Sequence, residues 1–180
     1  MKEKEDRIHK KVSTYIREYV FGFEDGIVST VGVVAGLTTA ALSRNIILLA
    51  TFIEIIVAAF SMAAGTYLSL KAQRELSNDK RKVKSKAKRK EIERPFIGSI
   101  IMFLIFIVGG FIVMAPYIFL NPHSALTFSF VISAISLFLF GAVKAHYTKS
   151  DWFKSGLEML AVGSLAVLVG FILGSLFRVG

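Results

Sequence analysis

The chain has 180 residues, of which 54% are hydrophobic, and its 22 Lys and Arg against 13 Asp and Glu give a formal charge of +9. This apolar share exceeds the roughly one half, Gly included, that is usual in soluble domains, so the composition predicts an integral membrane protein. The chain has no cysteine, which excludes disulfide frameworks and thiolate metal sites.

Residues 1–18 are rich in charge, yet their apolar side chains recur at helical spacing. The apolar stripe, which continues into the first apolar segment, is Ile8, Val12, Tyr15, Ile16 and Tyr19. This pattern predicts an amphipathic leader helix on the cytoplasmic headgroups of the membrane. A solvated leader without stable structure is the alternative.

Five apolar segments follow, each near the about 20 residues that are needed to cross a bilayer. They cover residues 20–41, 46–70, 96–120, 125–143 and 155–177. The sequence therefore predicts an all-α integral membrane protein whose five transmembrane helices occupy residues 19–180.

The distribution of Lys and Arg predicts the orientation of these helices. Six lie in the leader, eleven in the connection from Lys71 to Arg94 and three in the fourth connection, whereas the opposite side holds only Arg44 and Arg178. Positive residues accumulate on the cytoplasmic side. The N-terminus is therefore predicted to be cytoplasmic and the C-terminus outside, and the positive charge points to the membrane surface rather than to nucleic acid.

The cytoplasmic loop of residues 71–95 contains a dense basic patch: Lys80, Arg81, Lys82, Lys84, Lys86, Lys88, Arg89 and Lys90. Such a patch can bind anionic lipid headgroups. The alternative is a solvated loop whose charge only sets the topology, and both interpretations can hold together.

Pairs of glycines four residues apart occur in the first and last spans. They are Gly22 with Gly26, Gly32 with Gly36, and Gly170 with Gly174. This spacing lets helix backbones approach closely in lipid. It is common, so any one pair is weak evidence for a dimer.

Asp25 is the most unusual residue of the first span, because an ionised carboxylate in hydrocarbon costs several kcal/mol and normally faces a protein interior or a water-filled path. It lies about 8 Å inside the helix when the count starts at Val20. The alternative is a residue held by the helix dipole or by a neighbouring helix. Glu24 lies about 100° around the helix from Asp25 and is assigned to the headgroups or the cytoplasmic mouth.

Three further residues extend this string of ligand atoms. Glu54 lies deep in the second span with no Lys or Arg at its depth, so a proton or a bound metal ion would have to stabilise it. Met62 reaches a level similar to that of Asp25; it either fills the core or supplies a thioether, which suits Fe²⁺ better than hard cations. Glu18, seven residues before Asp25, lies at the cytoplasmic mouth on nearly the same helix face.

Several motifs together resemble the vacuolar iron transporter family, in matching order and over nearly the whole chain. They are GFEDGIVSTVGVVAGL, SMAAGTYLSLKAQRE, GGFIVMAPY, GAVKAHYT and SGLEMLAVGSLAVLVGFILGSLF. The resemblance implies a homodimeric five-helix exporter that moves Fe²⁺, and often Mn²⁺, out of the cytoplasm in exchange for protons. It further implies a path at the dimer interface between the first helices. Fe²⁺ or Mn²⁺ is then cargo, and no tightly bound cofactor is expected.

The same resemblance implies a role for each candidate residue. Asp25 and Met62 would be ligands of the path, Glu54 a membrane carboxylate for metal or proton, and Glu18 a carboxylate at the entrance. Many members have Glu at the position of Thr66, so Thr66 and Glu24 are candidate gate residues.

The chain departs from the family pattern between the second and third spans. Many members carry a long acidic metal-binding domain there, whereas this chain has the short basic loop. The chain therefore resembles a short form that lacks this domain, and how it captures metal is left open. Its small size suggests a prokaryotic plasma membrane; in a eukaryote it would occupy an organelle membrane.

The rival hypothesis is a module that transports nothing and binds anionic lipid or a protein partner through the basic patch. An enzyme is not expected, because an intramembrane aspartyl protease needs two aspartates within the spans and Asp25 is the only one there. The expected partners are therefore membrane lipids, a second copy of the chain, a divalent metal ion and protons, and not nucleic acid.

Overall fold

The computed structural model describes residues 14–79 and 94–177, which are almost entirely helical. Its helices are α1 (Ile16–Thr39), α2 (Arg44–Asp79), α3 (Pro95–Phe119), α4 (Pro122–Thr148) and α5 (Trp152–Leu176). Each contains a segment long and apolar enough to cross a membrane, and no strand occurs in these two ranges. The predicted all-α fold with five membrane-crossing helices is confirmed, while its orientation and its dimerisation stay predictions.

Two predicted features fall largely outside the described residues. These are the amphipathic leader, of which residues 1–13 are not described, and the basic patch, all of whose residues lie between 80 and 93. Residues 16–18, which the sequence assigned to the leader, form the first turn of α1. At the other end, α2 continues beyond the predicted span to Asp79, and Lys71 and Glu75 pair along this extension at 4.0 Å.

Local sequence signals mark the starts of the last three helices. Pro95 and Pro122 lie in the first turns of α3 and α4, where the missing backbone N–H costs nothing. Asp151 caps α5 by accepting hydrogen bonds from the backbone N–H groups of Phe153 and Lys154 at 2.9 and 3.1 Å.

Helix α1 lies at the centre of the bundle and packs against the other four helices. Its Ile27, Val31 and Val34 are almost completely buried and share one core with Ile47 of α2 and Tyr117 of α3, among others. Polar side chains on the inner face of α1 are therefore surrounded by closely packed apolar residues.

Glycines bring α1 unusually close to two of its neighbours. A Cβ atom added to Gly26 would collide with the carbonyl oxygen of Phe106 on α3, and one added to Gly174 would collide with that of Gly36. Small residues permit this approach in membranes. The glycine pairs that the sequence singles out thus pack α1 against α3 and α5 inside one protomer.

The predicted outer ends of the first three helices are joined by polar contacts. The Thr38 and Tyr117 hydroxyls are hydrogen-bonded at 2.8 Å. Arg44 Nε donates to the carbonyl oxygen of Tyr117 at 2.8 Å, and Arg44 Nη2 donates to that of Ile118. These bonds fix the level of α2 against α1 and α3.

Candidate metal path

The membrane carboxylate Glu54 is held by a hydroxyl group of α1. Thr30 Oγ1 donates to Glu54 Oε2 at 3.1 Å, and Thr30 is fully buried. Ser29, the residue before Thr30, donates its hydroxyl to the backbone carbonyl oxygen of Asp25 at 2.6 Å. Glu54 thus faces α1 rather than bulk lipid.

Asp25 lies within electrostatic range of Glu54. Because Thr30 and Glu54 are in contact, they mark the same height in the membrane on α1 and α2, and the heights of Asp25 and Met62 can be counted from them. Asp25 is five residues before Thr30, which places it about 7.5 Å closer to the predicted cytoplasmic side. Met62 is eight residues after Glu54 on the antiparallel α2, about 12 Å in the same direction. Asp25 and Met62, both half-buried, therefore differ by about 4.5 Å in level.

The two carboxylates of the path have no basic partner in the described part of the chain. Its ion pairs link Arg17 to Glu18 and Lys71 to Glu75, and neither reaches Asp25 or Glu54. Carboxylates at membrane depth without a cation are typical of ion or proton pathways. Within residues 14–79 and 94–177 of one protomer, however, no three His, Cys, Asp or Glu residues cluster as metal ligands. A complete metal site needs hydroxyl oxygens, the Met62 thioether or a second copy of the chain.

Glu18 is enclosed among the helices near their predicted cytoplasmic ends. Arg17 Nε and Nη2 donate to Glu18 Oε1 at 3.0 and 2.7 Å, while Oε2 is buried without a hydrogen-bond partner among the described residues. Side-chain atoms of Glu18, Leu70 and Tyr15 surround Gly98 of α3. The Glu18 side chain thus extends from α1 toward α3, at the height of Leu70 in α2.

The two candidate gate residues lie in different environments. Glu24 is half-buried and interacts electrostatically with Lys144 of α4, next to the stacked rings of Phe23 and Phe140, whose centroids are 4.2 Å apart. Thr66 is buried on α2, one turn before Leu70.

Sequence reasoning missed three polar residues that contact the candidate path. Thr30 donates to the Glu54 carboxyl group, Ser29 donates to the backbone carbonyl oxygen of Asp25, and Lys144 interacts electrostatically with Glu24. The signal for the first two was present, because the hydroxyls follow Asp25 by one turn on the same helix. From the sequence alone, Lys144 indicates only the topology.

The chain is similar to known membrane proteins over most of its length. The model of the VIT family matches residues 16–94 and 82–175. Vacuolar iron transporter 1 of Arabidopsis thaliana is 25% identical over 223 aligned residues, which cover 94% of this chain and 89% of the relative. Vacuolar iron transporter homolog 4 of the same plant is 27% identical over 167 residues, with coverages of 91% and 84%.

Vacuolar iron transporter 1 of Eucalyptus grandis is 21% identical, with coverages of 91% and 86%. The alignment with the first Arabidopsis thaliana protein is longer than this chain, so that relative has residues that this chain lacks. The alignment with homolog 4 is shorter than the chain. This difference in length agrees with the prediction that the chain is a short member of the family without the long acidic domain.

Proposed function

The chain belongs to the VIT family, and on this premise we propose that it exports a divalent transition metal, Fe²⁺ and also Mn²⁺, from the cytoplasm in exchange for protons. The family is one of transporters and not of enzymes, and the five membrane-crossing helices make the chain a multi-pass integral membrane protein. The metal, the exchange for protons and the direction of transport are the proposed parts.

The observation that carries the proposal is the carboxylate pair Asp25 and Glu54, held at membrane depth with no basic partner among the described residues. Each carboxylate binds either a metal ion or a proton, since the two compete for the same oxygens. Protons on the acidic side of the membrane would displace the metal there. Exchange of metal for protons follows from this competition.

The working unit is a homodimer in which the two copies of the path face each other. Asp25, Glu54 and Met62 are each partly exposed on the surface of the isolated protomer. Polar groups at this depth require protein or water around them. A second copy that covers this surface would supply the enclosure and would double the number of ligands.

Purified protein in liposomes tests the proposal directly. Wild type should move Fe²⁺ and Mn²⁺, with a proton flux in the opposite direction reported by a pH-sensitive dye inside the liposomes. Asp25→Ala and Glu54→Ala should each lose both fluxes. Ser133→Ala, which changes a buried hydroxyl on α4, should retain them. Full activity of both carboxylate variants would end this mechanism, and metal flux without proton flux would remove the exchange.

A further inference from the structure

One buried hydroxyl beside Glu54 has no hydrogen-bond partner among the described residues. It is Oγ1 of Thr51, whose residue is fully buried. The nearby buried hydroxyl of Thr30 is paired with Glu54, whereas the hydroxyls of Ser133 and Ser155, which also have no partner among the described residues, lie on α4 and α5. A buried polar group without a partner lowers stability. A ligand at this point would satisfy the Thr51 hydroxyl.

Thr51 is placed to share a ligand with Glu54. It precedes Glu54 by three residues on α2, a spacing that makes two side chains neighbours on a helix surface, and it lies about 4.5 Å nearer the predicted outer side. Ile47 and Ile55, one turn to either side, are also fully buried, and Ile55 packs on Gly110 of α3. Thr51 thus lies on the buried face of α2, about one turn from the Glu54 residue that Thr30 contacts.

We propose that Thr51 is a further ligand of the transported cation and forms, with Glu54 and Thr30, an all-oxygen site on the outer side of the Asp25 and Met62 level. The proposal rests on the proposed function, because it assumes that a divalent cation reaches Glu54. When the cation is present, Thr51 and Thr30 each turn a hydroxyl lone pair toward it, and the Glu54 carboxylate supplies the charge.

An all-oxygen site divides the selection of the metal between two levels of the path. Carboxylate and neutral oxygen ligands suit harder cations such as Mn²⁺, whereas thioether sulfur favours softer ions. The site at Met62 therefore favours softer metal ions over harder ones, whereas the site at Thr51 accepts Mn²⁺ and Fe²⁺ alike. Replacing the Thr51 oxygen by sulfur should then change which metals bind the outer site.

The absence of native cysteine makes Thr51→Cys a direct test. In liposomes containing full-length protein, Cd²⁺ should inhibit Mn²⁺ transport by Thr51→Cys at concentrations about tenfold lower than for wild type, a change of the size seen when metal-site groups are altered. Ser133→Cys replaces another buried hydroxyl that has no partner among the described residues, and it should match wild type. A merely structural role for Thr51 would not create sensitivity to a thiol-binding metal.

Thr51→Val keeps the test decisive if the cysteine variant does not fold. Valine removes the oxygen and keeps the shape, so the protein should be at least as thermally stable as wild type while its apparent affinity for Mn²⁺ falls about tenfold. Unchanged Mn²⁺ affinity in Thr51→Val, or unchanged Cd²⁺ sensitivity in a folded Thr51→Cys, would overturn the assignment of Thr51. Wild type that moves neither Mn²⁺ nor Fe²⁺ would instead reject the proposed function, and the role of Thr51 with it.

Discussion

Thr30 Oγ1 donates a hydrogen bond of 3.1 Å to Glu54 Oε2 and thereby joins α1 to α2 in the interior of the bundle. The bond gives the two antiparallel helices a common reference level. It also orients one carboxylate oxygen of Glu54 toward α1.

The Thr30 hydrogen bond predicts a loss of transport when the hydroxyl is removed. Thr30→Val should lower the rate of Mn²⁺ transport about tenfold or more, because a group that orients a metal-binding carboxylate typically changes affinity or activity by that amount. Thr30→Ser should retain most of the rate. The matched control is Thr127→Val, since the exposed Thr127 hydroxyl donates only to the carbonyl oxygen of His123 in its own helix. Equal rates for Thr30→Val and wild type would show that this bond does not position Glu54 for transport.

The close approach of α1 and α3 predicts a large difference between two glycine variants. Gly26→Ala should lower the midpoint of thermal unfolding, because the new methyl group would collide with backbone atoms of Phe106, which cannot move aside easily; overpacking of this kind costs about 1–3 kcal/mol. Gly65 has nothing within 4 Å of an added Cβ atom. Gly65→Ala should therefore be neutral or stabilise by up to about 1 kcal/mol through helix propensity.

Unfolding of both variants in detergent, followed by fluorescence, would provide the comparison. The same midpoint for Gly26→Ala and Gly65→Ala would contradict the packing of α1 against α3 described above.

The fold was largely predictable because its signals are local. The number of membrane-crossing helices follows from apolar length, and their boundaries follow from residues such as Pro95, Pro122 and Asp151 at the helix starts. The extension of α2 to Asp79 was not anticipated. The end of the apolar run predicts a loop after Leu70, although the Lys, Gln, Arg and Glu residues that follow favour helix as strongly as most apolar residues do.

The candidate site was less predictable, because its geometry depends on contacts between helices. Membrane depth singled out Asp25 and Glu54 from the sequence, but nothing local indicated that Thr30 would meet Glu54 across 24 positions of the chain. The enclosure of Glu18 beneath Gly98 likewise depends on how α1 and α3 pack. Whether Glu18 serves the entrance of the path stays a prediction.

The pair Arg17 and Glu18 predicts non-additive effects on stability. Arg17→Met should lower the unfolding midpoint, because it leaves a fully buried carboxylate without its partner; the cost is about 1–3 kcal/mol for a buried group left unsatisfied. Glu18→Gln should cost less, since it removes the charge and keeps the shape. The double variant should be more stable than Arg17→Met alone. Strictly additive midpoint shifts would mean that the two side chains do not interact.

Substitution of Arg44, at the predicted outer end of the bundle, should change stability and not transport. Its guanidinium donates to the carbonyl oxygens of Tyr117 and Ile118, which lie in the last turn of α3, where backbone carbonyls lack intrahelical partners. Arg44→Met should destabilise the detergent-solubilised protein by about 1.5 kcal/mol, the lower end of the range for hydrogen bonds to charged groups, because Arg44 is only half-buried.

Arg44→Lys should recover part of that loss, since an ammonium group can reach one carbonyl oxygen but cannot span two. Arg74→Met, at an exposed position on α2, is the matched control and should unfold like wild type. Because Arg44 lies at the far end of α2 from Met62 and apart from Asp25 and Glu54, metal transport by Arg44→Met should be unchanged at temperatures where the variant is folded. A defect in transport without a shift in the unfolding midpoint would instead place Arg44 at the exit of the metal path.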